Sequence, residues 1–250
     1  VFYLNTDWGN TAFGVLQDQA AANGDLDFWI CKMDEHGATD WEKSFGGGGS
    51  DFLMSIRNTA DGGFILGGTT NSPSKETEWF SLHPDANARP VTTSSVAKPM
   101  QATVAHNDYY IVKLNAKGTA EWSTVLGGIG QDDLVEVIPT RDGGYLAAGS
   151  SASDANGNKT GQNRGNMDYW IVKLDKDGKI AWQQTFGGRY ADMLRSVIAT
   201  RDGGYLLAGY SNSPATPLSP KHLCDKQQDN WGDGSDFWVL KLDKDGTLEW

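Results

Sequence analysis

The stretch DNWGDGSD, Asp229 to Asp236, sets three carboxylates within eight residues: Asp229, Asp233 and Asp236. The glycines between them let the backbone curl, and carboxylate oxygens gathered that way suit a calcium ion. The case is a limited one. Asp236 also opens a phrase that recurs along the chain, so a structural duty competes for it, and a solvated turn is the plainer reading. The D-x-D-G stretches, Asp175 to Gly178 and Asp243 to Gly246, lack the later ligands and the bidentate Glu of a calcium loop and read as turns. Calcium is the one cofactor the pattern admits.

A second kind of chemistry is aromatic. The polar insert at 71–107 contains Glu78, Trp79, Phe80 and His83. Exposed on a long loop, Trp79 and Phe80 would stack on a sugar or anchor a protein interface. The same two side chains could instead plug the loop onto the body of the protein. Trp231, in the insert at 211–235, carries the same alternatives.

Other chemistries lack their residues. His36, His83, His106 and His222 have no H-x-x-x-H or H-E-x-x-H partner, so zinc catalysis has no support. There is no G-x-S-x-G elbow, P-loop or dinucleotide fingerprint. GGGGSD at 46–51 precedes a strand pattern, so it cannot set a helix N-terminus against a phosphate. Carboxylates are plentiful, yet chain order alone cannot set two of them ~5 to 9 Å apart across a glycosidic bond. The chain therefore reads as a non-enzyme.

The net charge of −11 argues against nucleic acid or an anionic membrane as partner. No window approaches the ~18 apolar residues of a transmembrane helix. No signal peptide is visible, which would also be true of a mature secreted chain. Cys31 stands where Val112, Val172 and Leu240 recur and reads as a buried hydrophobe; Cys224 sits in an insert. Their different roles disfavour a disulfide between them.

The elements that must position these residues are repeated. DFWICKMDEHGATDWEKSFGG (27–47) returns as DYYIVKLNAKGTAEWSTVLGG (108–128) and DYWIVKLDKDGKIAWQQTFGG (168–188), and its first fifteen residues return at 236–250. Trp41, Trp122, Trp182 and Trp250 mark the units, 81, 60 and 68 residues apart. Each complete unit reads as four short strands, with a DGG turn between the first two and a D-x-x-G or N-x-x-G turn between the last two. Trp170, Val172 and Leu174 face one side of a strand, and Ile171, Lys173 and Asp175 the other. The repeated Trp residues are expected to pack between units. Lys32, Lys113, Lys173 and Lys241 are expected to lie along the sheet with the charge paired to an Asp. Asp51, Asp132 and Asp192 are expected to cap the turn after the FGG loop.

Four antiparallel strands per period suit an all-β fold of propeller blades, approximately 1–45, 46–126, 127–186 and 187–250, in one domain. The first unit is degenerate: Val15 aligns with Ile56 of the first strand, and QDQAAANGD replaces the second. Numbered on from Trp250, the N-terminal residues fall in phase. The chain is thus either a section of a longer array or a small ring closed by its N-terminal strand, and the section is preferred.

The phrase D-[FY]-W-I-V-K-L-D-x-x-G-x-x-x-W-x-x-x-[FL]-G-G, followed by D-G-G-[FY], resembles the repeat of large bacterial secreted and cell-surface β-propeller proteins, many with a type-nine secretion sorting domain. Its strand order is also similar to pyrroloquinoline-quinone-type propeller repeats. The resemblance covers about residues 27–250. It implies that the inserts at 71–107, 150–167 and 211–235 share one end with the FGG connections, opposite the short turns. Individual loops carry function more often than uniform turns. The expectation is a secreted or outer-membrane surface protein whose insert loops meet a protein partner as an interaction scaffold. The alternative is a glycan-binding or glycan-cleaving propeller of an outer-membrane uptake system.

Overall fold

The computed structural model describes residues 12–18 (backbone only), 26–72, 106–215, 225–231 and 234–250. All of its regular structure is β, in four antiparallel sheets that follow chain order. The first sheet is β1 (Ala12–Asp18), β2 (Asp27–Met33) and β3 (Thr39–Phe45). The second is β4 (Asp51–Asn58), β5 (Phe64–Thr70), β6 (Asp108–Leu114) and β7 (Ala120–Leu126). The third is β8 (Asp132–Pro139), β9 (Tyr145–Ser151), β10 (Asp168–Leu174) and β11 (Ile180–Phe186). The fourth is β12 (Asp192–Ala199), β13 (Tyr205–Ser211) and β14 (Asp236–Leu242). Leu248 to Trp250 lie beside β14, through bonds from Glu249 N–H to the Lys241 carbonyl and from Lys241 N–H to the Trp250 carbonyl.

The first unit differs from its expected alignment. Val15 pairs with Ile30, the place Gly67 holds against Ile111 in the second sheet. Ala12–Asp18 is thus the unit's second strand rather than its first. The sequence comparison erred because this unit has no DGG turn to fix the register.

The sheets stack face to face. Alternation along the third strand of each unit divides its side chains between two cores. Tyr110, Val112 and Leu114 pack back onto Phe28, Ile30 and Phe45 of the first sheet. Tyr109 and Ile111 pack forward onto Trp170, Val172 and Leu174 of the third. Tyr169 and Ile171 repeat the forward contact onto Trp238, Leu240 and Leu242 of the fourth. Aromatic pairs mark each joint: Phe28–Tyr110 at 5.0 Å between ring centroids, Tyr109–Trp170 at 4.7 Å and Tyr169–Trp238 at 4.9 Å. The repeated indoles also bridge sheets, with Trp41 against Phe64, Trp122 against Tyr145 and Trp182 against Tyr205, at 5.5–6.1 Å.

The lysine row is structural, as expected. Lys113 Nζ reaches Asp61 at 2.8 Å and Glu121 at 2.9 Å. Lys173 reaches Asp142 at 2.9 Å, and Lys241 reaches Asp202 at 2.8 Å and Glu249 at 3.0 Å. Each of these three also donates to the carbonyl of the next residue. The aspartate partner comes from the DGG turn, so the ammonium ties the second hairpin of a sheet to the first. Lys32, whose unit lacks the DGG sequence, pairs with Asp40 at 2.7 Å. Burial pushes the Asp61 and Asp142 carboxyls up, but their hydrogen bonds to lysine, threonine and a glycine amide outweigh it and hold both at about 2.

Cys31 is a buried free thiol within 3.6 Å of Thr39 Oγ1; Cys224 lies outside the described residues. Among the described residues no helix is long and apolar enough to cross a membrane.

Two glycines separate backbone strain from joint packing. Gly143 has φ +82° and open space where a Cβ would stand. Gly178 has φ +78°, and its Cβ would come within 2.8 Å of the Trp122 indole of the preceding sheet. Gly143→Ala is expected to cost about 1 kcal/mol of left-handed strain. Gly178→Ala adds an overpacking penalty of roughly 1–3 kcal/mol to the same strain. Urea unfolding of the two variants checks the order; equal losses would mean that the Trp122 joint yields freely.

Candidate binding cleft

The loop-bearing end is organised by buried aspartates. Asp51, Asp132 and Asp192 open the first strands of the last three sheets and are fully buried. Each N–H donates at 2.7 Å to a carbonyl of the preceding sheet, at Leu26, Asn107 and Met167. Each Oδ2 accepts from the glycine amide four residues earlier, Gly47, Gly128 or Gly188, at 2.7–2.9 Å. The same oxygen accepts the hydroxyl of Ser72, Ser153 or Ser213 at 2.7–2.9 Å. The serine oxygen in turn accepts from Gly49, Gly130 or Tyr190 N–H. The turn-capping role expected of these aspartates is present, and it extends across the joint to the insert loop.

A second row was not read from the sequence. Asp27, Asp108 and Asp168 open the third strands, and their carboxylates lie against the first glycine of each GG pair. A Cβ on Gly46, Gly127 or Gly187 would stand 1.8–2.0 Å from Oδ1 of its aspartate. The GG pair is therefore set by carboxylate packing as well as by the turn. The recurring initial D of the repeat was the available signal. Burial drives the Asp168 carboxyl up to about 7; Arg164 N–H opposes this, and the charge of Asp192 adds to it. Oδ1 of Asp168 is buried without a hydrogen-bond donor. Lys159 and Lys226 bury ammonium groups beneath the same loops, donating to the Ser153 and Ser213 carbonyls. They occur at different spacings within their inserts, so the repeat does not reveal them.

Between the third and fourth sheets this end opens into a cleft of about 500 Å³. Asn166, Tyr190, Asn212, Pro214, Asp229 and Asn230 line it. Tyr190 replaces Gly49 and Gly130 of the earlier loops, which gives this joint a half-exposed ring the others lack. Asn230 is held from both sides: its amide donates to Gly234 O at 3.0 Å and its oxygen accepts from Lys226. The segment is further tied through the Arg164–Asp225 ion pair and the Arg164 bond to Thr185 O. The next residue, Trp231, is 92% exposed, with its N–H donating to Asp236. The arrangement offers planar amides, one carboxylate and the Tyr190 ring at a single open site, with the exposed Trp231 next to it in the chain.

Of the residues singled out in the sequence, Asp229 and Trp231 belong to this region. Asp236 opens β14 and caps the Trp231 turn, so its structural duty is the one observed. Asp233 lies outside the described residues, and among those residues no three metal-ligating side chains gather. Trp79, Phe80 and His83 also lie outside the described residues. Asp175 and Asp243 form turns, each Oδ1 accepting two backbone N–H groups.

No family model matches the chain, and no curated protein does. Among solved structures, two mutants of Synechocystis apocarotenoid oxygenase match with TM-scores of 0.42 and 0.43 at 12% and 11% identity. Each match covers 95% of this chain and 45% of the other, so the chain spans under half the length of those structures. The expectation of a non-enzyme is corrected on this finding: the matched structures are of an enzyme. The missing catalytic motifs do not decide the question.

Asp168 gives the site a measurable pH dependence. Between the ordinary value of 3.8 and about 7, the folded protein holds a proton that the unfolded chain has released. Its contribution to stability therefore falls as pH rises through that window. Asp168→Asn, which keeps the shape and removes the charge, is expected to melt above the wild type at pH 8. The gain should shrink at pH 5. Thermal melts across the range check this, and a variant that loses stability most at pH 8 would show the carboxylate to be favourably ionised in the fold.

Proposed function

We propose that the four sheets are blades of a β-propeller of the repeat type found in bacterial secreted and cell-surface proteins, and that the loop-bearing end binds a glycan. The observation that carries the ligand class is the cleft between the third and fourth sheets. Its amides, its carboxylate and the adjacent exposed indole match the two demands of a sugar, hydroxyl hydrogen bonds and a flat apolar face. A glycan ligand fits a protein at the outer surface of a bacterium, in or beside an uptake complex. A protein partner on the same end is the second reading, supported by the exposure of Ile129 on the neighbouring loop.

Glycan-array screening followed by calorimetry tests the ligand, with released sugar measured in the same mixtures to read turnover. Trp231→Ala and Asp229→Asn should each weaken binding by about tenfold, about 1.4 kcal/mol, without lowering the melting temperature. Array signals that survive both substitutions would move the site away from this cleft. A blank array together with a protein partner captured through Ile129 and Trp231 would favour the second reading.

A further inference from the structure

The insert at 150–167 contains a tight turn from Asn156 to Lys159, closed by the Lys159 N–H on the Asn156 carbonyl at 3.1 Å. Gly157 holds the left-handed conformation in it, at φ +59°. A Cβ there would come within 2.3 Å of the Gly127 carbonyl, so the turn accepts only glycine. The fold thus sets an Asn-Gly pair at this place. Gly157 is exposed, and without a side chain it leaves its own main-chain nitrogen unshielded.

The two ends of the Asn156 amide are held differently. Oδ1 accepts Ile129 N–H at 2.7 Å, whereas Nδ2 has no acceptor among the described residues. Asn158 makes the contrast: its Oδ1 accepts Gly127 N–H at 2.7 Å, its Nδ2 donates to Val125 O at 3.1 Å, and a lysine follows it. An N–H fixed on a carbonyl oxygen draws electrons from the carbon and stabilises the oxyanion formed when a nucleophile adds there. At Asn156 the polarised carbon, the unshielded nucleophile and the unrestrained leaving group belong to one turn.

We propose that Asn156 is a self-modification site, at which the main-chain nitrogen of Gly157 attacks Asn156 Cγ and Ile129 N–H serves as the oxyanion donor. The bond from Gly157 N to Cγ forms and the bond from Cγ to Nδ2 breaks. Ammonia leaves, carrying the proton lost by Gly157. Water then opens the five-membered imide at either carbonyl, giving aspartate or isoaspartate. The isoaspartate adds a methylene to the main chain in the turn where Asn158 N–H meets the Gly127 carbonyl. It also sets a new carboxylate against Gly128, which Ser153 of the Asp132 cluster borders as well. The change is irreversible, needs no enzyme and alters the loop-bearing end as the molecule ages.

Peptide mapping of protein kept in warm, mildly alkaline buffer tests this, by the mass gained when an amide becomes a carboxyl and by the chromatographic splitting of the two products. Folded and guanidinium-unfolded wild type are followed side by side. Asn23–Gly24, the other Asn-Gly pair of the sequence, lies outside the described residues and is read in the same digests. Conversion at Asn156 should be faster in the folded protein than in the unfolded chain. Ile129→Pro, which removes the donor, should slow the folded rate by roughly tenfold or more and leave the unfolded rate unchanged. A folded rate below the unfolded one overturns the proposal, since the fold would then protect the pair. An Ile129→Pro protein that converts as fast as the folded wild type also overturns it. If that variant does not fold by circular dichroism, the wild-type comparison decides alone.

Discussion

A carboxylate buried at the seam between two sheets is the constraint on which the loop-bearing end depends. Asp192 receives a glycine amide and a serine hydroxyl on one oxygen, while its own N–H crosses to Met167 of the sheet before. The cluster fixes the FGG loop, the end of the second strand and the start of the third in one place. A buried charge is costly unless hydrogen bonds satisfy it, and burial raises the carboxyls of Asp51, Asp132 and Asp192 despite the bonds they accept. The structure carries that cost at all three joints. In return the insert loops leave from the same point each time, and differences among them become differences in the surface they present.

The opposite end works by the reverse arrangement. There a lysine lies along the sheet and meets carboxylates that are more than half exposed, such as Asp142 and Asp202. Lysine stems covering a β surface with a screened ion pair at the tip contribute modestly. Their value is geometric, since Lys113, Lys173 and Lys241 each hold a DGG turn against the third strand. In the last three sheets one end is thus anchored by dry acids, and the other by wet pairs.

Much of the fold was legible because one phrase states it four times. Periodicity gave the strands, the alternation along Trp170 to Leu174 gave the two faces of the third strand, and Trp41 with its equivalents marked the joints. The lysine pairing followed from a long stem at a position flanked by apolar residues. The first unit was misregistered because it has no DGG turn, and pairing with β2 rather than sequence phase sets Val15. The cleft was legible only in fragments. Trp231 and Asp229 stood out by type, whereas Asn166, Asn212 and Tyr190 come from separate segments that only the stacking brings together. Tyr190 had a signal in retrospect, as a ring in a loop position where the other copies have glycine.

Each core joins one sheet to the next, and none reaches across a third. Cohesion in such an array is a property of neighbours, as in a row of coupled units rather than a single droplet. Damage at one joint then leaves the sheets on either side with their remaining partners intact. The molecule is expected to lose order by splitting along its length, with the middle sheets as the last to go, and the breadth of its unfolding transition would report the strength of coupling between neighbours.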